Sequence, residues 1–229
     1  MHIELIDLLR CPRPHEDSWL VASFARMDGR LVVEGTLGCP VCGERYAIRD
    51  GIPRFDAAPE ELPESPAVQG GARHPVPVTR NALPDTQPGI SEPAAEGAMR
   101  MAAMLSLTRP GGLAVLEGET SRFAGEVRNL AAARVIALNP PAGELDEQEG
   151  IAAVECSSAV PLARGSADGV ALDGSAAPSL VLDVGRVLRP GGRLVVAPGT
   201  QLPPAFRELA RDERYVVAEL TGELVKLSR

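Results

Sequence analysis

Aromatic residues are scarce in this sequence: one Trp, two Tyr and four Phe among 229 residues, or 3%. Hydrophobic residues nevertheless make up 45%, so a sizeable core can form, built from Val, Leu, Ile and Ala rather than from rings. No run approaches the roughly 18 apolar residues of a membrane span, so a membrane-spanning helix is not expected. The opening Met1-His2-Ile3-Glu4-Leu5 has neither a basic n-region nor an apolar h-region. It does not read as a secretory leader, and the expected compartment is the cytoplasm. Basic residues are in deficit, 23 Lys and Arg against 31 Asp and Glu, for a net charge of -8. A general nucleic-acid binder needs a basic face, so direct nucleic-acid binding is not expected. With only three histidines, one at the terminus (His2) and one in a proline-rich stretch (His74), no Ser/His/Asp triad is evident.

Cysteine is also rare: Cys11, Cys39, Cys42 and Cys156. Two of them form a C-x-x-C, and in a chain without an export signal that spacing points to metal rather than to a disulfide framework.

What is present falls into three stretches. Residues 1–56 read as a small β-rich unit: a short helix or turn over residues 3–9, strands over 19–24 and 30–34 around the hairpin dipeptide Asp28-Gly29, then a strand over 45–48 stopped at Asp50-Gly51. Residues 57–93 read as an extended, partly mobile linker, since residues 59–93 hold eight prolines and no aromatic residue. From residue 94 onward helices and short apolar runs alternate. Helices are expected over 94–107, 121–133, 178–188 and 204–211. Strands are expected over 113–116, 134–138, 151–156, 169–172 and 193–197, with a closing hairpin of 215–220 and 223–227. Such alternation implies an α/β domain over 94–229, a mixed but mostly parallel sheet flanked by helices. On the first of these helices Met101, Met104 and Leu105 share one face, which packs into a core or serves as a soft binding surface.

Cys39-Pro40-Val41-Cys42-Gly43 has the form of a zinc knuckle, in which two thiolates point at one ion and backbone N–H groups point at the sulfurs. A tetrahedral site needs two more donors. The upstream stretch is Cys11-Pro12-Arg13-Pro14-His15, with proline where a second C-x-x-C would place cysteine; His15, one place later, offers a nitrogen. Two readings stand: a Cys3His zinc site of Cys11, His15, Cys39 and Cys42, or a decayed knuckle held by apolar packing. A redox role for Cys39 and Cys42 is a third, weaker reading.

Three segments carry a resemblance: Leu8-Leu9-Arg10-Cys11-Pro12, Cys39-Pro40-Val41-Cys42-Gly43 and Tyr46-Ala47-Ile48-Arg49-Asp50-Gly51-Ile52-Pro53. Over about 50 residues they resemble the Trm-type methyltransferase-activator family, small zinc-ribbon partners of tRNA, ribosomal and release-factor methyltransferases. The resemblance implies a zinc-ribbon-type fold and a protein partner, a methyltransferase or another enzyme.

Val187-Leu188-Arg189-Pro190-Gly191-Gly192-Arg193-Leu194-Val195-Val196 resembles the segment that leads into the fifth strand of class I S-adenosylmethionine (SAM) methyltransferases. Val160-Pro161-Leu162-Ala163-Arg164-Gly165-Ser166-Ala167-Asp168-Gly169-Val170 resembles the run before that family's fourth strand. The likeness covers roughly residues 94–229 and implies a Rossmann-like fold; function must be argued from the site. There the sequence departs. The family's E-x-G-x-G-x-G loop matches Val115-Leu116-Glu117-Gly118-Glu119-Thr120-Ser121, with one glycine left, and Glu119 would repel the cofactor's carboxylate. The second strand ends at Asn139 rather than at an acid able to bind ribose hydroxyls. The expectation is a methyltransferase-like pseudoenzyme that does not bind SAM and serves as a scaffold for a partner. In the competing reading, an active enzyme with a divergent loop, Glu117, Gly118 and Asn139 line the cofactor with Asp168 nearby.

Overall fold

The computed structural model describes residues 1–55, 92–141 and 150–221. Most of the expected linker, the acidic stretch 144–149 and the 223–227 half of the expected hairpin therefore lie outside the described residues.

The N-terminal unit opens with a 3-10 turn, Ile3–Leu8, followed by a four-stranded antiparallel sheet in sequential order: β1 Val21–Asp28, β2 Leu31–Gly38, β3 Arg45–Arg49 and β4 Ile52–Arg54. Gly29, at φ +57, makes the tight turn between β1 and β2 that Asp28-Gly29 foreshadows. Asp50 (φ +50) and Gly51 (φ +78) make the turn between β3 and β4.

The larger unit begins with α1 Glu92–Met104 and continues through β5 Leu113–Glu117, α2 Ala124–Ala131, β6 Arg134–Leu138, β7 Ile151–Val154, β8 Ala167–Ala171, α3 Pro178–Val187, β9 Leu188–Val196, β10 Phe206–Arg211 and β11 Val216–Leu220. Its seven strands lie in the order β10-β11-β9-β8-β5-β6-β7. β7, β6, β5, β8 and β9 run parallel; β11 runs antiparallel to β9, and β10 antiparallel to β11. The domain is a Rossmann-like α/β fold in which strand order reverses between β5 and β8, the place where such sheets leave a crevice.

Period-2 alternation separates the two faces of the sheet. Ala114, Leu116, Ala171 and Val195 face α1 and α2 beside Met101, Leu105 and Val127. Leu113, Val115, Val170, Leu172, Leu194 and Val196 face the other way, towards Leu180, Val184 and Val187 of α3. Met101 and Leu105 are fully buried and Met104 packs beside them, so this face of α1 is core.

The second core is shared. Leu5, Leu9, Val32, Leu37, Ile48 and Phe55 of the N-terminal unit belong to the same buried cluster as α3 and its face of the sheet. Two backbone stitches bind the units. Arg10 donates to the Pro161 carbonyl at 2.9 Å and Ala163 to that of Leu8 at 3.0 Å; Glu155 donates to Pro53 and Phe55 to Glu155, both at 2.9 Å. The second stitch lies one residue beyond the edge strand β7, at Glu155.

One expected helix is a strand. Residues 206–211 form β10, paired to β11 with Arg207 opposite Glu219. Ala, Leu, Arg and Glu favour a helix locally, but the edge of β11 offers a full ladder of backbone bonds, and that tertiary pairing overrides propensity. The expected helix over 121–133 is shorter: a 3-10 turn, Gly118–Phe123, leads into α2, which ends at Ala132 in the left-handed region. Among the described residues no helix is long and apolar enough to cross a membrane.

Candidate functional site

The first site joins two loops of the N-terminal unit. Cys39, Cys42, Cys11 and His15 place their donor atoms within 4.8 Å of one another. Cys11 Sγ lies 3.7 Å from Cys42 Sγ, and His15 Nε2 lies 3.4 Å from Cys39 Sγ. The 39–44 loop closes on itself: Cys39 N–H donates to the Glu44 carbonyl at 2.8 Å, and Gly43 N–H to the Cys39 carbonyl at 2.9 Å. Gly43 sits at φ +75, as such a turn requires. An Arg13–Glu44 ion pair of 2.7 Å ties the loops together. His15 Nδ1 lies 2.6 Å from the Glu16 carbonyl oxygen, which holds the proton on that nitrogen and leaves the Nε2 lone pair facing the sulfurs. These four residues can hold one metal ion.

The thiols are tuned unequally. Burial works against the Cys39 thiolate, but backbone N–H groups of Cys42 and Val41 outweigh it and bring the pKa down to about 6. Burial pushes Cys11 up to about 11, although the Tyr46 hydroxyl, 3.2 Å from its sulfur, pulls the other way. The Tyr46 phenol is itself raised, by burial first and then by its bond to Cys11. Tyr46 was not foreseen as part of this site; its only sequence signal is a lone aromatic a few residues beyond the knuckle.

The second site is the carboxyl edge of the large sheet. Glu117 ends β5 and is buried at 4% exposure. Burial, then the negative charge of Asp173, raise its pKa to about 7, against the hydrogen bonds it receives from Asp173 N–H and the Asn139 amide. Gly118 follows at φ +56, and a Cβ added there would stand 2.0 Å from Asp173 Oδ2. The Asp173 carboxylate therefore lies directly over the glycine. It accepts from Glu119 N–H at 2.8 Å and from the backbone and hydroxyl of Ser175, each at 2.6 Å. Burial opposes its charge, but the bonds from Ser175 and Glu119 prevail and keep its pKa low.

Asn139 follows β6 in the left-handed region at φ +48, and its Oδ1 accepts from Cys156 N–H at 2.8 Å. Glu117, Asn139, Glu155 and Ser175 line an open cleft of about 490 Å³. Glu119, expected to face the cofactor, is exposed. The carboxylate over the loop is that of Asp173, which the sequence marks only as an acid at the end of an apolar strand.

Asp168 is not part of this edge. It lies at the start of β8, beside Leu113 and therefore at the end of the sheet opposite Glu117. Its Oδ2 accepts from Leu113 N–H at 2.8 Å, and its Oδ1 accepts from Arg109 Nη2 at 2.7 Å and pairs with Arg189 Nε at 2.6 Å. Burial opposes its charge, but these partners hold its pKa below the ordinary range. Arg109-Pro110-Gly111-Gly112 and Arg189-Pro190-Gly191-Gly192 repeat the same four residues, the first just before β5 and the second within the opening of β9, the two strands that flank β8. Gly111 and Gly191 share nearly the same φ, +74 and +75. Asp168 clamps both segments through Arg109 and Arg189.

No protein family matches the sequence, and no curated protein matches it. Solved structures do. The chain is similar to a protein of Galdieria sulphuraria described as a sarcosine dimethylglycine methyltransferase: 14% identity over 48% of this chain and 49% of that one, TM-score 0.38. It is similar to the antibiotic-resistance methyltransferase Kmr at 17% identity, over 54% of this chain and 93% of that one, TM-score 0.37. It is also similar to phosphoethanolamine N-methyltransferase 2 of Haemonchus contortus, solved with SAM, at 11% identity over 51% and 30% of the two chains, TM-score 0.37. The match thus spans about half or less of the first and third of these proteins. The fold assignment rests on the strand order of the sheet itself.

Proposed function

We propose that this chain is a non-catalytic protein on a methyltransferase-like fold, which works by binding a protein partner through an attached zinc-ribbon-type unit. The observation that carries this reading is the Asp173 carboxylate over Gly118. A cofactor of the SAM type brings its own carboxylate to such a loop and needs free backbone N–H groups there. Glu119 N–H is already bonded to Asp173, whose charge repels a second carboxylate. The Asn139 oxygen that would receive a ribose hydroxyl is bonded to Cys156 N–H.

Zinc is the metal we assign to the Cys11, His15, Cys39 and Cys42 cluster. Zinc–sulfur bonds of about 2.3 Å at a tetrahedral angle put two sulfurs about 3.8 Å apart, and a sulfur and a histidine nitrogen about 3.6 Å apart. The separations of 3.7 and 3.4 Å agree with those values. With zinc in place the unit is similar to the Trm-type activators, and the partner we infer is a methyltransferase or another enzyme. The outer edge of the small sheet supports a partner: Trp19 is 70% and Val21 65% exposed, with Phe24 and Met27 also open along the unpaired side of β1. An exposed apolar edge of this kind is a docking feature.

The cleft of about 490 Å³ favours a second reading, an active SAM-dependent methyltransferase with a divergent loop, since Glu117 and Asn139 line it. Thermal unfolding with S-adenosylhomocysteine separates the two. A ligand at 100 times its Kd adds about 2.7 kcal/mol. The proposed function expects no shift at millimolar ligand; a shift of several degrees would support the enzyme.

A further inference from the structure

The carboxyl edge of the sheet carries a second cleft, on the other side of the turn that leads into α3. Its volume is about 620 Å³, within the range of about 300–1,000 Å³ usual for small-molecule sites. Val181 and Leu182 of α3 form one wall, and the segment between β9 and β10 forms the other. Prolines dominate the lining: Pro178, Pro198, Pro203 and Pro204. Each fixes its own φ, so the wall is largely formed before a ligand arrives and little ordering is required on binding.

The chemistry of the lining selects the ligand. Among the described residues no ionisable side chain lines this cleft, in contrast to the acidic one beside Glu117. A charged ligand would lose hydration there without gaining a partner. Among the described residues Thr200 and Gln201 supply the polar side chains of the lining, enough to orient a ligand through one or two hydrogen bonds. The prolines and the Leu182 side chain, 70% exposed, supply apolar surface against which a ring can pack. Among the described residues no aromatic side chain lines the cleft.

We propose that the cleft between α3 and the β9–β10 segment binds an uncharged, ring-bearing, predominantly apolar small molecule. This assignment stands whether or not the neighbouring edge takes SAM.

The test is a fluorescence titration of the full chain with two probes that share one ring system: neutral N-phenyl-1-naphthylamine and its sulfonate, anilinonaphthalene sulfonate. Saturable binding of the neutral probe at one site is expected, with the sulfonate weaker by at least roughly tenfold. Leu182→Asp and Ala197→Trp should each weaken the neutral probe by roughly tenfold, since one brings a charge to the rim and the other fills the cleft. Leu182 is exposed, so its melting temperature should not move, and Leu130→Ser on α2, which packs on the face of the sheet opposite α3, should bind the probe like the unmodified chain. Equal binding of both probes, non-saturable binding, or an unchanged affinity in Leu182→Asp would overturn the proposal. So would a dimer, seen by light scattering, that Leu182→Asp dissociates while the neutral probe fails to bind, because the cleft would then be covered by a second copy.

Discussion

The two candidate sites differ in what their polar atoms face. At the knuckle, three sulfurs and one imidazole nitrogen converge on a common point, and the groups around them orient them towards it. At the carboxyl edge of the large sheet, the atoms that would receive a guest bond to one another: Asp173 to Glu119 and Ser175, Asn139 to Cys156, Glu117 to Asp173. On the reading proposed above, the converging sulfurs and nitrogen mark a ligand that is kept, and the polar atoms satisfied within the chain mark one that is not.

That contrast can be broken most severely at the metal. Cys39→Ser should reduce bound zinc from about one per chain to near zero and lower the melting temperature by more than about 5 °C, because structural zinc contributes directly to folding. The knuckle shares its core with α3, so the loss should spread beyond the small unit. Metal analysis with calorimetric melting checks this, and unchanged stability would return the knuckle to the decayed reading. Zinc retention should also fall as the pH drops, because protons compete with the metal for the thiolates and the imidazole.

A smaller effect is expected at the clamp. Asp168→Ala removes the acceptor of Leu113 N–H and leaves Arg109 and Arg189 without their shared carboxylate. The expected cost is about 2–4 kcal/mol, read by denaturant unfolding. Asp168 has a depressed pKa when folded, so its contribution is present at neutral pH and lost as the pH falls through the acid range.

Glu117 gives a change of opposite sign. Its folded pKa of about 7 lies above the ordinary carboxyl value, so between about 4.5 and 7 the folded chain holds a proton that the unfolded chain releases. Stability therefore declines as the pH rises through that window. Glu117→Gln should flatten this part of the profile and stabilise the chain at pH 8 by about 1–3 kcal/mol. Melting curves at pH 5 and pH 8 check it. The smallest effect belongs to the exposed Arg207–Glu219 pair between β10 and β11, where Arg207→Ala should cost less than about 0.5 kcal/mol.

The sequence made the alternating strands and helices legible because buried parallel strands are short apolar runs, as in Leu113-Ala114-Val115-Leu116. The metal donors were legible because C-x-x-C is a local pattern and His15 lies one residue from the expected position. What failed depends on contacts remote in sequence. Residues 206–211 are a strand because β11 lies beside them. Asp168 looked like a site residue because it sits in a family-like run, yet its partners Arg109 and Arg189 show it to be a clamp. Asp173 is 55 residues from Gly118, and nothing local places its carboxylate there. Leu9 of the N-terminal unit packs in the same core as Leu180, a contact that no local pattern foretells.

The most direct test of the account is titration calorimetry of SAM into the full chain after its zinc content has been measured. The account predicts no binding heat at millimolar SAM on protein that carries about one zinc. Micromolar binding to that same protein would contradict it, since Asp173 would then have to leave Gly118 for the cofactor.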